Sequence, residues 1–258
     1  MKKFSWLILI IFLVSCASHK NQISVTPKAN FEDKMQAPLP SWMHKIPQKA
    51  VVGIAPLKSD KESSIDAARK MAAVFSNRNR ASIVISKMGN REAEDDLADM
   101  QVKFRMNVGD PLQAQKIYEQ LELKAETKLH NYFIGLFAPA EIKLGLSGNI
   151  KTSSKVPTWY QYGSLEDENG VVTCQTMASS ADLVRAWEKA AENGRLRIAE
   201  YLEKHVQGLL ASHNQNIDKY ISVETAQNVG AFKILRSSVQ VCYKDHLLSY
   251  KVYMEMQR

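Results

Sequence analysis

Glycine and proline are scarce in this chain, at 11 and 8 of 258 residues, which excludes a collagen-like or proline-rich fibrous protein. Cysteine is scarcer still. None of the three cysteines sits in a Cys-x-x-Cys pair, so neither a zinc ribbon nor dithiol redox chemistry is indicated. There is one long, almost purely apolar run, Phe4 to Val14, about half the ~20 residues that a membrane-spanning helix needs. Heptads are absent. Neither sign of charge dominates: 34 Lys and Arg against 27 Asp and Glu give a formal +7, and the densest basic spot is only Arg78-Asn79-Arg80. A nucleic-acid binder would carry a clustered basic stripe, so no nucleic-acid partner is expected. What remains is ordinary globular material, 45% hydrophobic and 24% charged, with a mean hydropathy of −0.28.

The first sixteen residues have a pattern of their own. Lys2 and Lys3 precede the apolar run, which ends in Leu13-Val14-Ser15-Cys16. A basic start, a short apolar core and a small residue before the end have the form of a secretory signal, and the last four residues resemble the lipobox of bacterial lipoproteins. That resemblance implies cleavage of residues 1–15, a thioether-linked diacylglycerol on Cys16 and acylation of its new α-amine. Each buried CH₂ contributes roughly 0.8 kcal/mol, so two or more chains hold a protein firmly to a bilayer. Membrane lipid is therefore the expected first partner. Ala17 follows the cysteine where many inner-membrane lipoproteins carry Asp, so the expected location is the outer membrane, facing the periplasm or the cell surface.

Residues 17–37 are polar and patternless and read, with Cys16, as a tether over 16–37. A flexible coil of that length spans roughly 25 Å on average and at most about 70 Å. Cys174 and Cys242 remain as thiols. An oxidising compartment permits a disulfide between them, and their apolar, alternating surroundings equally suit two buried free thiols.

The body carries an internal similarity. Pro40-Ser41-Trp42 recurs as Pro157-Thr158-Trp159, Ser63-Ser64-Ile65-Asp66 as Ser179-Ser180-Ala181-Asp182, and His130-Asn131-Tyr132 faces Leu248-Ser249-Tyr250 at nearly the same offset. The expected fold class is α+β: two copies of a strand–helix–helix–hairpin module over 38–142 and 157–258, joined by a linker over 143–156, with helices packed on a mainly antiparallel sheet. In copy one the expected elements are a strand at Ala50–Ile54, a helix opening at Ser63-x-x-Asp66, a helix at Leu112–Leu121, and a hairpin of Lys124–Lys128 with Tyr132–Phe137. In copy two they are a strand at Val171–Cys174, a long amphipathic helix opening at Ser179-x-x-Asp182 with its apolar stripe from Leu183, a helix at Val223–Leu235, and a hairpin of Ser238–Tyr243 with Leu247–Met254. Ser82–Ser86 reads as an extra strand, and Glu166–Gly170 as a hairpin turn.

The Pro-x-Trp opening, the Val51-Val52-Gly53-Ile54-Ala55 strand and the helix with Ala67-Ala68-Arg69-Lys70-Met71-Ala72-Ala73 resemble the LPP-twenty family of bacterial envelope lipoproteins, best from Pro40 to Ser86. Copy two departs from the pattern at Val171-Val172-Thr173. The resemblance implies a membrane-associated lipoprotein, in some members tied to flagellar or surface structures, and it carries over no enzymatic site.

No catalytic, cofactor or metal motif stands out. His19, His44, His130, His205, His213 and His246 are scattered, and the acidic run Glu92, Glu94, Asp95, Asp96, Asp99 lacks the spacing of a calcium loop. As two copies of one motif, Trp42 and Trp159 read first as core anchors, with surface contact to a ligand as the alternative. The expected function is non-enzymatic: a structural or assembly component of the envelope that contacts other envelope proteins. The alternative is a module that binds peptidoglycan or another surface polymer.

Overall fold

The computed structural model describes residues 39–80, 83–87, 105–106, 111–146, 148–150, 156–213, 224–228, 231–244 and 247–258. In chain order the elements are β1 (Leu39–Pro40), α1 (Ser41–His44), β2 (Val51–Pro56), α2 (Lys61–Arg80), β3 (Ile83–Lys87), β4 (Arg105–Met106), α3 (Pro111–Gln120), β5 (Leu121–Leu129), β6 (Tyr132–Pro139), β7 (Asn149–Ile150), β8 (Leu165–Glu168), β9 (Val171–Ser180), α4 (Leu183–His213), β10 (Glu224–Asn228), β11 (Lys233–Lys244) and β12 (Leu247–Gln257). The protein is mixed α+β, and among the described residues every strand pairing is antiparallel. One main sheet has the order β2-β6-β5, and the other β11-β12-β9-β8. Among the described residues no helix is long and apolar enough to cross a membrane.

Local chemistry sets the turns. Between β8 and β9, Asn169 and Gly170 both have positive φ (56° and 82°), the two-residue hairpin geometry that these residue types tolerate best. Asp167 Oδ1 accepts the Gly170 N–H at 3.0 Å and closes the loop. Helix α2 is capped by Asp60, whose Oδ1 takes the Ser63 N–H at 2.6 Å; α4 is capped by Asp182, whose Oδ1 takes the Arg185 N–H at 3.0 Å. The expected opening of α2 at Ser63-x-x-Asp66 is thus one turn too late. Ser63 and Asp66 lie inside the helix, whereas Ser179 and Ser180 end strand β9.

A larger departure lies at Val223–Leu235, expected as a helix. Glu224–Asn228 is strand β10, paired with β3 from Glu224↔Lys87 to Asn228↔Ile83, and β11 begins at Lys233. Gly230 and the β-branched Thr225 weaken a helix there, and pairing with β3 satisfies the backbone instead. Among the described residues of the second half, no second helix precedes the hairpin.

Alternation in β6 explains the core. Phe133 and Phe137 point to one face and meet Ile65, Ala68 and Ala72 of α2 and Ile117 of α3. Ile134 and Leu136 point to the other face, where with Val52 and Ile54 they join Trp42 and Met43 of α1, Trp187 and Ala190 of α4, and Val252 and Met254 of β12. Residues of 38–142 and 157–258 thus share one apolar cluster. Each fully buried side chain of this size contributes roughly 1.5–3 kcal/mol.

The two main sheets also meet at a hydrogen bond. His130, in the β5–β6 turn with φ 52°, places Nδ1 3.0 Å from the Tyr250 hydroxyl of β12. Burial lowers the affinity of His130 and of His44 for a proton, and burial pushes Tyr250 up to about 12. A depressed imidazole contributes stability above the ordinary histidine range near 6.5 that is lost as the pH falls through it. The thermal midpoint should fall between pH 7 and pH 5, and His130→Asn should flatten that fall. An equal slope in the variant would exclude His130 as the cause.

Candidate functional site

The four-stranded sheet has one face against α4 and one away from it. Cys174 and Thr176 of β9 identify the inner face, because Cys174 Sγ reaches Gly194 O of α4 at 3.5 Å and Thr176 Oγ1 donates to Ala190 O at 2.8 Å. Alternation then puts Gln175, Lys251, Tyr253, Glu255, Gln240 and Cys242 on the outer face.

A β-bulge aims the charged pair of that face. The β11–β12 register shifts between Ile234 and Arg236, so Leu235 is the extra residue and Arg236 stands opposite Glu255. Arg236 Nε lies 2.8 Å from Glu255 Oε1, and Gln175 Nε2 donates to Glu255 Oε2 at 3.0 Å. The Glu255 side chain is only 6% exposed, so both carboxylate oxygens are satisfied where water has little access.

Across this face runs the segment Pro157–Ser164, folded as two consecutive turns closed by Tyr160 N to Pro157 O (2.9 Å) and Ser164 N to Gln161 O (3.1 Å). It is fastened at several points. The Arg236 guanidinium lies over the Trp159 ring at 5.6 Å, and the Tyr160 ring packs on Tyr253 at 4.8 Å. The Gln161 N–H donates to Gln175 Oε1 at 2.6 Å, and Arg197 Nη2 of α4 donates to Gly163 O at 2.7 Å. The Tyr253 hydroxyl donates to Gln240 Oε1 at 2.9 Å, and burial raises the Tyr253 and Tyr160 phenols, keeping both protonated at neutral pH. Gly163 has φ 78°, which a side chain would strain. The result is a fixed turn with Trp159 half-buried and Tyr162 86% exposed.

This separates the two candidate tryptophans. Trp42 is 5% exposed inside the core cluster, so its assignment as a surface contact is corrected: α1 turns the indole inward. Trp159 does reach the surface. The candidate disulfide is also corrected. Cys174 and Cys242 are both free thiols, on opposite faces of the sheet and on strands flanking β12, where they register with Met256 and Ser249. Seven residues along a strand is about 23 Å, far beyond the reach of an S–S bond. Burial pushes the Cys174 thiol up to about 12, so it stays a small apolar group. Cys16, the acidic run at 92–99, His19 and His246 lie outside the described residues, as do the side chains of His205 and His213.

Elsewhere, Asp66 accepts from the Tyr118 hydroxyl and pairs with Lys70 at 2.8 Å, beside a cleft of about 280 Å³ between α2 and α3. Lys70 and Tyr118 hold the Asp66 carboxyl below the usual range. Among the described residues no three His, Cys, Asp or Glu are placed to hold a metal ion.

No family model, curated protein or solved structure matches this chain. Trp159 stands out in the sequence, whereas Arg236, Glu255, Tyr160 and Tyr162 do not. Arg236 and Glu255 carry only the partial alternation of polar with apolar residues along β11 and β12, Tyr160 and Tyr162 lie in a connecting turn, and alternation does not reveal what lies over a sheet.

Proposed function

We propose that this protein is a lipid-anchored envelope lipoprotein, similar to the LPP-twenty family, that works non-enzymatically as a structural or assembly component at the outer membrane or cell surface. The observation that carries this reading is the register of Leu13-Val14-Ser15-Cys16 after a basic start and a short apolar run. Acylated Cys16 is the anchor, 17–37 the tether, and 39–258 the part that other envelope proteins meet.

We also read the body as a duplication. In support, both main sheets place the strand that leads into the long helix of their half beside the last strand of its hairpin, as β2-β6-β5 and β9-β12-β11, and each of these helices is capped by aspartate. Strands β3 and β10, each following the long helix of its half, pair with one another.

Cys16→Ala tests the anchor. The wild-type protein should stay with membranes through salt washing and need detergent for release. The variant should move to the soluble exported fraction or accumulate unprocessed; retention of the variant as tight as wild type would refute the anchor.

The second reading, a module for peptidoglycan or another surface polymer, is favoured by one observation: the fastened Trp159–Tyr162 turn on the outer sheet face.

A further inference from the structure

We propose that the turn Trp159–Tyr162 and the neighbouring strand β8 form a binding platform for a neutral, hydroxyl-rich polysaccharide strand. This rests on the polymer-binding reading and names its surface and its ligand class.

Three features carry it. First, the aromatic display is built rather than incidental. A surface tyrosine that is 86% exposed ordinarily needs no support, yet Tyr162 sits between Gln161, whose N–H is held by Gln175, and Gly163, whose carbonyl is held by Arg197. Trp159 is backed by the Arg236 guanidinium, itself held by the buried carboxylate of Glu255. A backbone fixed on both sides of Tyr162, and a Trp159 ring held against Arg236, lose little conformational freedom when a ligand stacks there. Second, indole and phenol rings offer flat apolar faces beside polar tips, the match for a sugar ring with its C–H face and its rim of hydroxyls.

Third, the adjoining edge is rich in acceptors. In β8, Glu166 and Glu168 are exposed and alternate onto the outer face, Asp167 facing the other way toward Tyr201 of α4, and β8 follows the turn directly through Ser164, whose carbonyl takes the Gln175 N–H at 3.1 Å. Carboxylates accept hydrogen bonds from hydroxyl donors and repel phosphate and carboxylate. The edge therefore selects a neutral glycan over an anionic lipopolysaccharide or teichoic acid.

Tyr162→Ala is the informative variant, because the side chain is exposed and its removal should leave the thermal midpoint unmoved. Trp159→Ala and the double change Glu166→Gln, Glu168→Gln complete the set. The probes are neutral N-acetylglucosamine oligomers, read by quenching of tryptophan fluorescence, and purified sacculi, read by sedimentation. The full mature chain carrying Cys16→Ala binds both, and Tyr162→Ala weakens oligomer binding at least about tenfold. The double variant loses the preference for neutral over phosphorylated glycans. Sacculus binding that Tyr162→Ala leaves unchanged would overturn the platform and spare the polymer reading. Absence of binding to either probe by the parent chain would overturn both, and neither result bears on the lipid anchor.

Discussion

Gly53→Val should leave little folded protein, and Gly53→Ala should already cost about 3 kcal/mol or more. The cause is a backbone-to-backbone approach. Gly53 sits in the middle of β2, and a Cβ there would lie 2.1 Å from the carbonyl oxygen of Ala68 in α2 and 3.0 Å from the Phe137 ring. A flexible side chain could move aside; a helix carbonyl cannot do so without lifting α2 from the sheet. That would open the cluster in which Phe133 and Phe137 meet Ile65, Ala68 and Ala72. Gly194 makes the useful contrast. There a Cβ would meet only the Met256 side chain, with the sulfur at 2.4 Å, so Gly194→Ala should be distinctly milder. Chemical denaturation of the two alanine variants checks the order, and equal losses would mean that the approach of α2 to β2 is not the constraint.

The second large effect is expected at Arg195, which is 1% exposed. Its Nη1 donates to Asn79 Oδ1 at 2.8 Å, and its guanidinium lies 5.8 Å from the centroid of Phe75, so one side chain of α4 holds the C-terminal end of α2. Asn79 is a junction in its own right, since its backbone carbonyl accepts the Phe232 N–H at 2.7 Å. Burial lowers the guanidinium to about 10, still well above neutral pH, so a charge is held in the interior. Arg195→Ala removes both the bond to Asn79 and the packing of the stem, and should cost about 3–5 kcal/mol. For a body of this size that is about 6–20 °C in the thermal midpoint. Arg195→Met keeps much of the volume and should lose markedly less. If Met proved as damaging as Ala, the hydrogen bond rather than the packing would carry the effect.

Much of the fold was legible in residue pattern. The runs Tyr132–Phe137 and Val171–Cys174 are apolar as strands require and fall within β6 and β9, Asn169-Gly170 marks its hairpin, and the Leu183, Trp187, Ala190, Ile198 spacing marks α4. What escaped the sequence lies in tertiary choices. The Ser-Ser-x-Asp similarity aligned a strand end with a helix interior, whereas the two capping aspartates, Asp60 and Asp182, stand 122 residues apart rather than 116. Strand β10 has little intrinsic strand signal, and only its partner β3, far away in the chain, determines its form. At the candidate site, Arg236 and Glu255 looked like ordinary surface charges. The bulge at Leu235 that sets them opposite one another has no sequence mark, and Pro157–Ser164 reads as a connecting loop. Arg195 was invisible for the same reason: a charge in an amphipathic helix reads as solvated until its neighbours are known.

The proposed anchor is a lipid at Cys16, and the mass of the mature N-terminal peptide tests it most directly. Protein extracted from membranes with detergent and digested with protease should yield a peptide beginning at residue 16 that carries a diacylglycerol on the sulfur and an acyl chain on the α-amine. A chain that retains residues 1–15, or one that begins elsewhere with Cys16 unmodified, would contradict it.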